Sequence, residues 1–124
     1  MSIKRFEDIE AWQLARELTK QIYEVTKEGL FAKDYGLKDQ IRRVAGSSMH
    51  NIAEGFDGGS NAEFIRFLGY AQRSCTEIQS ELYVALDQKY LTQERFAELY
   101  DLAKKTSAKI GAFIKYLKSS KKKT

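Results

Sequence analysis

Apolar residues recur at helical three-and-four spacing in four stretches of this chain, and three short breaks separate them. The first stretch spans about Asp8 to Lys27, with Ala11, Leu14, Leu18, Ile22 and Val25 on one face, and Gly29 ends it. The second spans about Asp34 to Glu54, with Leu37, Ile41, Val44, Ser48 and Ile52 in line. The stretch Gly55-Phe-Asp-Gly-Gly59 is the strongest breaker, because glycine enters left-handed conformations without a Cβ clash. Ser60-Asn-Ala-Glu63 then reads as a capping box opening the third helix. Its stripe is Phe64, Leu68, Ala71, Cys75, Ile78, Leu82 and Ala85. Thr92 is a candidate N-cap for the fourth helix, striped by Phe96, Leu99, Ala103, Thr106, Ile110, Phe113 and Leu117.

Sustained alternation of three and four is the seam of helices packed at a shallow angle. Short connections make neighbours antiparallel. The pattern therefore predicts an all-α protein, an antiparallel up-down-up-down four-helix bundle. One domain covers residues 1–118, followed by a basic disordered tail at residues 119–124. This topology gathers the N-terminus, the turn between helices two and three, and the C-terminus at one pole. The turns near Lys33 and Lys89 lie at the other.

Composition agrees. Proline is absent from all 124 residues, which favours uninterrupted helices. No apolar run is long enough to cross a membrane, and the charged N-terminus does not read as a signal peptide. With one cysteine, Cys75, an intrachain disulfide and a cysteine metal cage are excluded. The single histidine, His50, rules out the paired Glu-x-x-His motifs of a di-iron bundle. His50 with Glu54, or Glu77 with Glu81, is only a weak metal pair. Ser47 and Ser48 beside His50 lack the turn that a serine nucleophile needs. Cys75 falls on the seam and reads as a small core residue. No cofactor and no enzymatic activity are expected.

Charge is unevenly distributed along the chain. The net value of +4 hides a division. Residues 1–103 hold 13 Lys and Arg against 17 Asp and Glu, whereas residues 104–124 hold eight lysines and no acid. Such a block suits a polyanion, nucleic acid before an anionic membrane. It equally suits a helix C-terminus, whose dipole lysines complement. Candidate nucleic-acid contacts are Lys4, Arg5, Lys115, Lys118, Lys121, Lys122 and Lys123 at one pole. Arg42, Arg43, Arg66 and Arg73 on helices two and three are the competing set, open also to salt bridging. Trp12, Tyr23, Tyr70, Tyr83, Tyr100 and Tyr116 lie off the seams and are the candidate interface of a homo-oligomer, although tyrosines often edge a core with their hydroxyls in water. Gly46, in the small-residue patch Ala45-Gly-Ser-Ser48, suggests a close helix approach.

Several blocks occur in a telling order: Phe6-Glu-Asp-Ile-Glu-Ala-Trp12-Gln13, Tyr35-Gly-Leu-Lys-Asp-Gln-Ile-Arg-Arg43, Asn51-Ile-Ala-Glu-Gly55 and Glu63-Phe-Ile-Arg-Phe-Leu68. With the ending Phe113-Ile-Lys-Tyr-Leu-Lys118, the chain resembles the four-helix-bundle proteins named for the 23S ribosomal RNA intervening sequence. The resemblance runs from Phe6 to about Lys118. It implies a bacterial cytoplasmic bundle, usually a homopentamer, with no known enzymatic activity. It also implies a relation to the accessory variability determinant of diversity-generating retroelements, a pentameric ring that binds a reverse transcriptase and nucleic acid. The chain departs from the pattern where many members carry proline: it reads Leu30-Phe-Ala-Lys33 and Ser48-Met-His50 there. Arg73-Ser74 replaces a common Gly-Ser. Asn51 and Glu54 are expected to tie helix two to its neighbours or to the glycine turn. The leading expectation is a non-enzymatic ring that binds RNA or DNA beside a reverse transcriptase or 23S rRNA. The alternative is an oligomeric interaction module whose nucleic-acid affinity is incidental.

Overall fold

A computed structural model describes residues 3–121. Four α-helices follow one another: α1 (Glu10–Val25), α2 (Tyr35–Asp57), α3 (Asn61–Asp87) and α4 (Gln93–Lys121). Short 3-10 turns at Phe6–Asp8 and Phe31–Lys33 precede α1 and α2, and the described residues contain no strand.

Side chains start three of the helices. Asp34 accepts from the Leu37 amide (3.1 Å), Ser60 from the Glu63 amide (3.2 Å) and Thr92 from the Arg95 amide (3.0 Å). Each satisfies an amide that lacks an intrahelical partner. The reciprocal half of the expected capping box does not form, because the Glu63 carboxylate turns to Arg66. α1 has no side-chain cap at Ile9 and is led in by the 3-10 turn instead. It ends at Val25, two residues before the expected Lys27, where the Thr26 hydroxyl turns back onto the Ile22 carbonyl (2.7 Å).

The seam residues of α3 are all buried, as are those of α4 apart from half-buried Phe113. They meet α2 on one side and α1 on the other, so the helices run around the bundle in chain order. The core has two halves. Leu18, Ile22, Ile41, Ile78, Leu82 and Leu99 fill the half beside the α1–α2 and α3–α4 turns. Ile9, Ile52, Phe64, Leu68, Ile110 and Leu117 fill the half beside the N-terminus. The start of α1 thus meets the end of α2, the start of α3 and the end of α4, which is the up-down-up-down order. At the turn pole the Tyr90 hydroxyl donates to Asp34 (2.9 Å), and the Tyr90 ring stacks on buried Phe31 (5.2 Å).

Three expectations need correction. α2 does not stop at Glu54 but runs through Gly55 to Asp57. Gly55 is buried against α3, where a Cβ would lie 2.8 Å from that of Phe67. Its lack of a side chain serves helix packing, and the break falls at Gly58-Gly59, with Gly59 at φ 89°. Gly46 is not the close approach, because a Cβ there would meet only the His50 ring, at 3.5 Å. The tail does not begin at Ser119 either: α4 stays helical to Lys121. Lys122 and Lys123 lie outside the described residues.

Candidate nucleic-acid interface

α4 is electrically polarised. Its acids, Glu94, Glu98 and Asp101, precede every one of its lysines. Lys104, Lys105, Lys109, Lys115 and Lys118 follow, all exposed, and Lys121 closes the helix. Cations over the last turns complement the partial negative charge of the carbonyl end, which favours this order locally.

The N-terminal segment reaches the same pole, since Ile3 and Phe6 pack on the core half that holds Leu117. Lys4 and Arg5 are exposed there. Arg5 is shared between Glu7 (3.6 Å) and Asp8 (3.9 Å), and Lys109 pairs with Glu10 (3.2 Å). Such exposed pairs are weak and can be exchanged for phosphate. Lys4, Lys115 and Lys118 form no ion pair among the described residues. A groove of about 450 Å³ lies between Ile3, Ile9 and Ala11 on one wall and Ala112 and Phe113 on the other. Asp8, Glu10 and Lys109 also line it, and the excess of acid does not suit a polyanion.

The arginines divide. Arg42 is half-buried and committed to α1: its Nε donates to the Thr26 hydroxyl (2.8 Å), and its guanidinium lies 4.5 Å over the Tyr23 ring. That ties α2 to α1. Arg66 binds Glu63, donates to the Tyr70 hydroxyl (3.0 Å) and covers the Phe67 ring. Its hydrogen bonds to Glu63 and Tyr70 raise its pKa further. Arg43 and Arg73 are exposed and make no ion pair among the described residues. α2 and α4 lie diagonally across the bundle, so Arg42 and Arg43 do not join the α4 lysines.

The aromatic set also divides. Trp12 is core rather than interface: it is 9% exposed and meets Phe6 edge-on at 5.1 Å. It falls beside the Ala11 stripe, on the flank that the N-terminal segment covers. Tyr23, Tyr70, Tyr83 and Tyr116 are exposed, and Tyr100 is half-buried. Tyr83, Phe96 and Tyr100 form an aromatic cluster across α3 and α4, with centroids 4.9–5.6 Å apart.

Asn51 donates to the carbonyl and hydroxyl of Ser47 within its own helix (both 2.9 Å), and Ser47 accepts from Ser74 of α3 (3.3 Å). Asn51 therefore reaches α3 only through Ser47. Glu54 is exposed. Cys75 is fully buried, and burial pushes its thiol up to about 12. Glu81, in the sequence no more than half of a weak metal pair with Glu77, is 9% exposed, and its pKa is pushed up to about 7, by burial first and by Glu77 second. Its place immediately before Leu82, flanking the seam, was the available signal.

No curated protein matches the chain. Among solved structures, it is similar to a protein of unknown function from the S23 ribosomal protein family of Bacteroides thetaiotaomicron VPI-5482, with a TM-score of 0.76 at 23% identity. The match covers 85% of this chain and 98% of the other, and at that identity it speaks for the shared fold. The family described as 23S rRNA-intervening sequence protein matches residues 7–112. That span takes in all of α1, α2 and α3 and most of α4, so the chain belongs to the 23S rRNA-intervening sequence protein family.

Proposed function

We propose that this protein is a non-enzymatic, homo-oligomeric accessory protein that binds nucleic acid through the lysine-rich pole of its bundle. The observation that carries this reading is the one-sided charge of α4: beyond Asp101 it presents exposed lysines and no acid, with Lys4 at the same pole. In a ring of parallel subunits, most simply five, these ends would form one cationic face. Flexible lysines neutralise phosphates and read bases poorly, so binding is broad in sequence and steep in salt. A nucleic-acid enzyme such as a reverse transcriptase, or 23S rRNA itself, is the partner such a face would serve.

Fluorescence anisotropy with RNA and DNA oligonucleotides of several sequences, over a salt series, tests this. Lys115→Gln combined with Lys118→Gln should weaken binding to all of them together and flatten the salt slope by up to about 2. Truncation after Leu117 should do more. If neither change matters while Arg43→Gln and Arg73→Gln abolish binding, the bundle wall is the surface and the pole only aids solubility. The second reading, an interaction module with incidental affinity, is favoured by exposed Tyr83 packed on half-buried Tyr100. It predicts assembly without measurable nucleic-acid binding at physiological salt.

A further inference from the structure

We propose that the seam between α2 and α3 is a proton-binding device, in which Glu81 is sealed between the helices when neutral and moves out toward Arg43 when ionised. The geometry carries this. Glu81 is 9% exposed, and its Oε1 is buried with no hydrogen-bond partner. A carboxylate left so would forfeit hydration without compensation, whereas a carboxylic acid forfeits far less. Glu77 lies one turn back on the same face and adds like charge. The groups facing Glu81 are Gln40 and Arg43 from α2 and Glu77 from α3 itself; no α4 group acts on it. The Gln40 amide donates to Glu77 (3.3 Å), and its proximity also lowers the Glu81 pKa. Arg43 is exposed and makes no ion pair among the described residues, which leaves it available to receive the ionised side chain.

The sign follows from linkage. Burial and Glu77 raise the folded-state pKa of Glu81 above its ordinary value, and Gln40 and Arg43 offset this only in part. The folded chain therefore keeps a proton that the unfolded chain has released. The contribution of Glu81 to stability is greatest below the ordinary carboxylate range, falls as pH rises through the window up to neutrality, and then levels. The device uses no residue of the lysine pole.

The test is a ¹³C NMR titration of the full chain labelled in glutamate, following the Glu81 carboxyl from pH 4 to 9, with urea unfolding across the same range. The Glu81 signal should move with a midpoint near 7. Its contribution to the unfolding constant should approach about tenfold per pH unit between the two pKa values. Glu81→Gln should remove that contribution, Glu77→Gln should lower the midpoint, and Arg43→Gln should raise it. Titration of Glu81 in the ordinary carboxylate range, or an unchanged pH slope in Glu81→Gln, would overturn the proposal. Should Glu81→Gln fail to fold, the wild-type midpoint and its shift in Glu77→Gln decide the matter.

Discussion

Lys89 holds φ 63° at the end of α3, a conformation that glycine adopts without penalty and lysine does not. It sits in a Schellman turn, with the Tyr90 amide on the Ala85 carbonyl and the Lys89 amide on that of Leu86 (both 2.9 Å). Lys89→Gly should therefore stabilise the protein by about 1 kcal/mol, read as a raised denaturation midpoint. Gly55 is the opposite case, since Phe64 and Phe67 occupy the space a Cβ would need. Gly55→Ala should cost about 1–3 kcal/mol through overpacking, although alanine is the better helix former. In the seams, Leu82→Ala and Ile110→Ala should each cost about 2–5 kcal/mol, because both side chains are fully buried and neither site can collapse without moving a helix. Urea unfolding of each variant checks these values. An unchanged midpoint for Leu82→Ala or Ile110→Ala would contradict the packing register.

The helices differ in what starts them. α2, α3 and α4 have side-chain caps, whereas α1 depends on tertiary packing of Ile9 and the Phe6–Asp8 turn. Thr92→Ala should thus destabilise by about 0.5–2 kcal/mol, with the loss of hydrogen-exchange protection concentrated in the first turn of α4. The charge order of α4 has two consequences at this scale. It complements the helix dipole, and it places lysines along the exposed end of the longest helix. The first favours folding, and the second leaves a cationic surface at that end of the bundle. Trp12 separates element from assembly. Trp12→Ala should cost about 3–5 kcal/mol in folding, whereas Tyr83→Ala, at an exposed position, should leave the isolated bundle much less affected.

For the whole molecule, the exposed aromatic surface on α3 and α4 is the feature a lone bundle does not use. If it is an interface, light scattering at micromolar concentration should give several times 14.3 kDa, and a clean monomer would refute the homo-oligomer. Under the proposed function, assembly and nucleic-acid binding should be separable by substitution. Tyr83→Ala with Tyr100→Ala should lower the mass, and with it the avidity for long nucleic acids. The lysine substitutions should lower affinity at unchanged mass.

In α1 Ala15 is buried in place of the expected Leu14, which is half-buried, whereas the four helices, their order and the α3 and α4 seams were legible in the chain alone. Those depend on periodicity and short-range capping, which act between residues a few positions apart: the α3 stripe and the caps at Ser60 and Thr92 were legible without a partner helix. The family was legible too, because its blocks are local strings. The uses of residues on the flanks were decided only by the tertiary structure. Trp12 looked exposed until the N-terminal segment folded over it. Arg42 looked available until Thr26 and Tyr23 were brought beneath it from α1. Gly55 looked like a helix breaker until α3 lay against it, and the burial of Glu81 between α2 and α3 had no counterpart in its spacing from Glu77. The physical reason is the same in each case. A helical wheel gives the angle of a side chain, but burial, ion pairing and desolvation depend on which element fills that angle, and that element comes from a distant part of the chain.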